Sequence, residues 1–200
     1  MRYPRSQAEH ALAEGRRRLL DAAAKEIAHK GLDSANINDI SLAAGFAKGT
    51  VYNYFPSKRA LMESLLEAIA ADHCAFITER VLKETAAEAR LARFFDAGFD
   101  FALERGPQAR VATATANGSD LALKAALYRA YQPLYQFVAT EIVAYGVAQG
   151  VFRSLDTAAV TNLLMTLYLG SVSQVDEEGH PWLAAGDVAD FAWHALRTQP

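Results

Sequence analysis

The chain has 200 residues, 52% of them hydrophobic, and a formal net charge of −3. That length accommodates a small module plus a larger domain, and that composition supplies enough apolar surface for a buried core, which excludes a disordered chain. No run approaches the roughly twenty apolar residues of a membrane span, the opening Met1-Arg-Tyr-Pro-Arg-Ser-Gln stretch lacks a secretory signal core, and the single Cys74 excludes an intramolecular disulfide, so a soluble, cytoplasmic protein is expected.

Apolar residues recur at spacings of three and four, without convincing period-two alternation, and this predicts an all-α chain. The first helix runs from about Ala8 or Arg16 to Lys30, with Leu20, Ala23, Ala24 and Ile27 inward and Gly31 as its stop. A second begins at Asn36, whose side chain can cap the first turn, while Asp39 favours the positive end of the helix dipole. Ile37, Ile40 and Ala44 share one face, and Gly45 can take the positive φ of a tight turn. A third helix follows from Lys48, with Val51 and Phe55 inward and Gly49, Thr50, Tyr52 and Asn53 outward. Two short helices meeting at one glycine make a helix-turn-helix.

Pro56 ends that helix, and Ser57 can cap a long fourth one whose inner side carries Leu61, Leu65, Ile69, His73 and Ile77. His73 and Cys74 are neighbours, but successive helical side chains point about 100° apart, so the cysteine reads as an ordinary partly buried thiol. Further helices span from after Glu84 to Gly106-Pro107, a short stretch before the Asn117-Gly-Ser119-Asp break, and a long segment toward Gly150 interrupted at Pro133. Asp156 can cap the next, where Val160, Leu163, Leu164, Leu167, Tyr168, Ser171, Val172 and Val175 stand in register. Met165, Leu169 and Gly170 make its second face apolar as well. Asp176 to Pro181 is a loop, and a last helix covers roughly Asp187 to Arg197.

Charge is divided unevenly. Residues 1–60 carry ten basic against six acidic side chains, and the remainder ten against seventeen. A basic end on an acidic body orients a molecule toward phosphate. Lys48 and Gly49 at the start of the third helix, and Lys58 at the start of the fourth, are candidates for phosphate, and the hydroxyls of Tyr52 and Tyr54 can donate to it. Thr50, through its methyl, and Asn53, through its amide, are the candidate base readers. Asn36 is either a cap alone or a cap that also touches DNA. Arg16, Arg17 and Arg18 are either a brace on a flanking phosphate or a solvated face.

Leu20-Asp-Ala-Ala-Ala24, Ile27 to Gly31, Asp39-Ile40, Ala43-Ala44-Gly45, Lys48-Gly49-Thr50-Val51-Tyr52, Tyr54-Phe55 and Ser57-Lys58 together resemble the DNA-binding domain of the TetR family of transcriptional regulators, without a gap from about Arg18 to Leu66. One departure is Ala47, where the family usually has a capping Ser or Thr. The resemblance implies an N-terminal three-helix helix-turn-helix DNA-binding domain, residues 1–57, and a larger C-terminal helical domain, 58–200, for effector binding and dimerisation. It also implies a homodimer whose last two long helices form a four-helix bundle across a twofold axis, and a small effector that moves the fourth helix and spreads the reading heads.

A reader this small discriminates too little in a genome unless doubled, which independently favours dimerisation. The larger domain is rich in aromatics. Phe95, Phe99, Tyr128, Tyr131 and Tyr168 are candidates for lining a site for an apolar or aromatic effector, against plain core. His29, His180 and His194 are scattered, without a His-x-x-x-His spacing or an acidic partner at helical spacing, so no metal is expected. Asp96 and Asp100 stand one turn apart with no nucleophile or Gly-rich loop nearby and read as solvated charge. No cofactor and no enzymatic activity are expected. The leading reading is a ligand-responsive repressor on a palindromic operator, and the alternatives are a helical enzyme or a protein-binding assembly factor carrying a helix-turn-helix.

Overall fold

A computed structural model describes residues 5–176 and 180–198. Residues 177–179 of the expected Asp176–Pro181 loop, and the basic Arg2, lie outside them. The regular structure among the described residues is helical, with two isolated antiparallel bridges, Phe152 with Arg197 and Val175 with Pro181. The helices are α1 (Arg5–Lys30), α2 (Ile37–Ala43), α3 (Lys58–Val81), α4 (Ala87–Glu104), α5 (Gly106–Asn117), α6 (Leu121–Ala130), α7 (Gln132–Phe137), α8 (Tyr145–Ala148), α9 (Thr157–Ser173) and α10 (Ala185–Leu196). A 3₁₀ turn at Thr50–Asn53 lies between α2 and α3, and a π-helical segment at Val138–Ala144 joins α7 to α8. No helix among the described residues is long and apolar enough to cross a membrane.

The chain divides into two compact units. The first comprises the residues up to Ile69 together with Pro107–Leu127, and the second Ala70–Gly106 with the residues from Tyr128 onward. In the first, Leu19, Ala23 and Ile27 of α1, Ile40 of α2, Val51 and Phe55, and Leu61, Leu65 and Leu66 of α3 are buried. These are the three- and four-residue spacings that an inward helical stripe requires. Gly31, at φ +84°, ends α1 as its C-terminal glycine.

In the second unit, Leu91, Phe94, Phe95 and Phe101 of α4 are buried, as are Leu164, Met165 and Tyr168 of α9 and Val188, Ala192 and Leu196 of α10. Pro133 lies in the first turn of α7, where its missing N–H costs nothing, so it opens a helix after a break at Tyr131 where the sequence suggests an interruption within one. Val138–Ala144 departs from the expected 3.6-residue period. Arg90 of α4 secures this segment: its Nη1 donates to the Glu141 carbonyl at 3.1 Å and the Glu141 carboxylate at 2.9 Å, while its guanidinium lies 3.8 Å from the centre of the Tyr145 ring.

On α9 the expected inward register is partly reversed. Met165, assigned to the outer face, is fully buried, and Leu163, assigned to the core, is 68% exposed. A helix that is apolar all round offers no polar stripe by which to set its phase.

Candidate nucleic-acid interface

The Asn36 side chain caps α2 as its composition demands: the Asn38 N–H donates to Asn36 Oδ1 at 2.8 Å from an extended Asn36 backbone. Asp39 sits in the first turn and pairs with Lys30 at 3.1 Å, and Lys30 also pairs with Glu26 at 2.7 Å. Both carboxylates raise the Lys30 pKa, Glu26 foremost. Ile37, Ile40 and Ser41 are buried beneath the helix. The Ser41 hydroxyl donates to the Ala47 carbonyl at 2.7 Å, tying the end of α2 to the following loop.

Gly45 has φ +77°, a conformation that side chains rarely adopt, and a Cβ there would stand 2.5 Å from Arg18 Nη2. The positive φ is what requires glycine, because the Arg18 terminus is the flexible end of a side chain and can move aside.

The recognition element is shorter than its sequence suggests. In place of a helix from Lys48 to Phe55 there is one 3₁₀ turn, Thr50–Asn53, entered from Gly49 in the left-handed region at φ +80° and lacking a side-chain cap. Left-handed backbone at Gly49 prevents a helix from starting at Lys48, and Ala47 carries no oxygen that could cap one. A four-residue turn has no appreciable dipole, so attraction of phosphate to a helix end at Lys48 and Gly49 loses its basis. The 24-residue α3 retains such an end, where the Ala60 N–H donates to Ser57 Oγ at 3.1 Å.

The inward assignments of the turn hold, and of the outward ones Tyr52 and Asn53 hold while Gly49 and Thr50 do so only in part. Val51 and Phe55 are 0% and 1% exposed, Tyr52 is 53% exposed, Lys48 and Asn53 are also exposed, and Gly49 and Thr50 are half-buried. Asn36 is exposed as well, with its Oδ1 engaged in capping. Lys58 is half-buried, and its Nζ donates to the Asp33 carbonyl at 3.2 Å. Its neighbour Arg59 pairs with Asp120 at 3.0 Å, and these four residues line a cleft of about 330 Å³ within the first unit. Backbone N–H donation from Leu123, followed by the Arg59 guanidinium, lowers the Asp120 pKa.

Tyr54 does not join the exposed group. Its ring lies 5.7 Å from that of Phe46, and its hydroxyl points at Gly15 of α1, where a Cβ would stand 2.3 Å from Tyr54 Oη. No local signal in the sequence marks Gly15, a glycine within a helix, for this role.

In the second unit, Phe95, Phe99, Tyr131 and Tyr168 are buried, whereas Tyr128 is half exposed to solvent. Tyr131 and Tyr168 converge on His73: Tyr131 Oη lies 3.0 Å from Nδ1, Tyr168 Oη 2.9 Å from Nε2, and Tyr168 Oη 3.3 Å from the Gly98 carbonyl. Phe101 stacks on the imidazole at 3.9 Å. Phe95 reaches the group only through Phe94, whose ring is 5.1 Å from Phe95 and 5.5 Å from Tyr168. Burial pushes the His73 pKa down to about 3 and raises those of both tyrosines. Periodicity placed His73 inward; its tyrosine partners, remote in the chain, gave no local signal. His180 and His194 do have acidic partners four residues earlier, Asp176 at 3.6 Å and Asp190 at 3.2 Å, which corrects the expectation that neither has one at helical spacing.

Residues 19–65 match the family model of bacterial regulatory proteins, tetR family. The uncharacterized HTH-type transcriptional regulator YvdT of Bacillus subtilis (strain 168) is 50% identical over 50 residues, which are 25% of this chain and 26% of that protein. The HTH-type transcriptional repressor KstR2 of Rhodococcus jostii (strain RHA1) is 39% identical over 59 residues, 29% of each chain. The matches thus span little more than a quarter of these curated relatives' length. The crystal structure of the transcriptional regulator FadR from Bacillus subtilis, in complex with stearoyl-CoA, is similar in fold, with a TM-score of 0.78 over 91% of this chain and 97% of that one at 19% identity. The capped α2, the glycine turn and the buried Val51 and Phe55 all lie inside the segment, residues 19–65, that matches the tetR family model.

Proposed function

We propose that this protein is a ligand-responsive, DNA-binding transcriptional regulator, a repressor that acts in the cytoplasm as a homodimer on a palindromic operator and is released by a small apolar or aromatic effector. The observation that carries this reading is the two-sidedness of the 3₁₀ turn, with Val51 and Phe55 buried and Lys48, Tyr52 and Asn53 in solvent. A major-groove reader needs that division, because the inner side anchors and the outer side touches bases and phosphates.

In this reading residues 1–57 read DNA and 58–200 bind effector and dimerise. Lys48, Tyr52 and Lys58 hold phosphates, Asn53 and Thr50 read bases, and Asn36 and Gly49 shape the approach. Leu163 of α9 and Phe191 of α10, 68% and 67% exposed, support a partner surface on the last two helices. Gly170 of α9, with open space where a Cβ would stand, would let a second helix come close. The stearoyl-CoA in the FadR structure supports an apolar effector here.

Gel-shift titration against the intergenic DNA beside the gene tests the proposal. Salt-sensitive, sequence-selective binding is expected. Lys48→Ala should weaken binding to all sequences alike, and Asn53→Ala should relax selectivity at one base pair. Binding indifferent to sequence and to both substitutions would refute it. Thermal unfolding with long-chain acyl-CoAs and planar aromatics tests the effector half, where a stabilising compound should also dissociate the operator complex.

A further inference from the structure

Resting on the DNA-binding reading, we infer that Gly15, Arg16 and Arg18 of α1 are positioning residues for the recognition turn and do not themselves hold phosphate. The turn has little order of its own. It is one 3₁₀ turn without a side-chain cap, entered through a left-handed glycine, so its aim toward a groove depends on what grips it from behind.

α1 supplies that grip within one helical turn. Gly15 is buried although its neighbours Glu14 and Arg16 are exposed, and the end of the Tyr54 ring fills the space its missing side chain leaves. A Cβ at Gly15 would stand 2.3 Å from Tyr54 Oη and 2.8 Å from Cζ, so any larger residue must displace the Tyr54 ring from its place against α1. A glycine inside a helix is unfavourable relative to alanine, and this close approach explains its presence.

Arg16 and Arg18 grip on either side. The Arg16 guanidinium lies 4.6 Å from the Phe55 ring centre, and its Nη2 donates to Ser64 Oγ at 2.9 Å. The Arg18 guanidinium lies 4.9 Å from the Phe46 ring centre and donates to the Ala44 carbonyl at the end of α2. One arginine therefore steadies Phe55, two residues beyond the turn, and the other Phe46, four residues ahead of it, each by a planar contact that lysine reproduces poorly. Arg17 points elsewhere and pairs with Glu14 at 2.7 Å and Asp21 at 3.3 Å, which makes it an internal control.

The test compares Gly15→Ala, Arg16→Ala, Arg18→Ala and Arg17→Ala in the full-length chain. Operator affinity, affinity for random duplex, the salt dependence of each and the thermal midpoint are measured. A phosphate contact shows as a salt slope reduced by about 0.9 and as equal loss on both DNAs. Positioning shows otherwise: Gly15→Ala and Arg18→Ala lose operator affinity roughly ten- to hundredfold, on the scale of a misplaced base contact, while random-duplex affinity and both slopes stay put. Arg16→Ala behaves like Arg18→Ala, and Arg17→Ala like the unaltered protein. Because Gly15 acts through Tyr54, adding Gly15→Ala to Tyr54→Leu should produce no further loss. A reduced slope for Arg16→Ala or Arg18→Ala, or full operator affinity for Gly15→Ala, overturns the inference.

Amide hydrogen exchange keeps this outcome separate from that of the regulator reading. Faster exchange at Tyr54 and Phe55 in Gly15→Ala, at an unchanged thermal midpoint, supports the grip even if the unaltered chain bound no DNA, and unchanged exchange overturns it.

Discussion

Tyr168 Oη lies 2.9 Å from His73 Nε2 and 3.3 Å from the Gly98 carbonyl, and together these contacts favour one arrangement of protons in a buried three-residue chain. Each proton has one consistent place. If Nε2 carries the imidazole hydrogen and donates to Tyr168, the Tyr168 hydroxyl is free to donate to the Gly98 carbonyl at 3.3 Å, and the Tyr131 hydroxyl donates to Nδ1 at 3.0 Å. The other tautomer would leave the Tyr131 hydroxyl hydrogen without one of these acceptors, a cost of about 1–3 kcal/mol in a buried site.

A pH dependence follows from the same chain. The folded His73 pKa lies at about 3, below its ordinary 6.5, because burial disfavours the imidazolium. In the unfolded chain the histidine takes up a proton from about pH 6.5 downward, so between roughly pH 6.5 and 3 the unfolded state binds more protons. Stability should therefore fall with pH, at up to about 1.4 kcal/mol per unit from this group, and the loss is complete below the folded value. Urea unfolding at pH 7, 5.5 and 4.5 checks this: His73→Gln should be less stable at pH 7 but lose less on acidification. Parallel losses in the two proteins would show that other groups carry the acid sensitivity.

Phe55 follows the reading turn, fully buried below it and with Arg16 4.6 Å above its ring. Phe55→Ala removes both contacts and leaves a cavity, which costs about 3–5 kcal/mol where the surroundings do not collapse. Denaturant unfolding should show that loss. Tyr52→Ala, on the exposed side, should change stability by less than about 0.5 kcal/mol while weakening DNA binding.

The parts of the fold and interface legible in the sequence are those set by neighbours in the chain. Asn36 as a cap, Gly45 as a turn, and Val51 and Phe55 as an inward pair all follow from spacing and side-chain chemistry over a few residues. The 3₁₀ turn was not legible, because Lys48-Gly-Thr-Val-Tyr reads equally as a helix start until the left-handed backbone at Gly49 is known. Gly15 and His73 acquire their roles from Tyr54, Tyr131 and Tyr168, which only tertiary packing brings to them. Leu163 and Met165 exchanged places because α9 is apolar on every side, and its neighbours decide which stripe turns inward.

Arg59 stands beside Lys58 at the phosphate-facing end proposed for α3, yet it is paired with Asp120 at 3.0 Å. An exposed pair of this kind contributes little to stability, and the carboxylate competes directly with a phosphate for the guanidinium. Asp120→Asn should keep its cap on the Ala122 and Leu123 N–H groups, which lie 2.9 and 3.0 Å from Oδ1, while releasing Arg59. Operator and random-duplex affinity should both rise severalfold at low salt, with the gain vanishing in Arg59→Ala/Asp120→Asn. Reduced affinity in Asp120→Asn would mean that Asp120 supports DNA binding by holding the start of α6.

Leu163 and Phe191 are the positions on which dimerisation should turn. Each exposes most of a large apolar side chain, and α9 and α10 pack on one another within the second unit. Covering such side chains at a closed interface is worth roughly 1.5–3 kcal/mol each, and a twofold axis counts every substitution twice. Leu163→Asp or Phe191→Asp would place two carboxylates in the buried seam, at a cost that the remaining contacts cannot offset. Sedimentation velocity at micromolar concentration should then show a dimer for the unaltered chain and a monomer for either variant, with helical content unchanged by circular dichroism. Operator affinity should fall to about that of random duplex, because one reading head spans too few base pairs to discriminate. A variant that stays dimeric and binds operator normally would move the interface off these two helices.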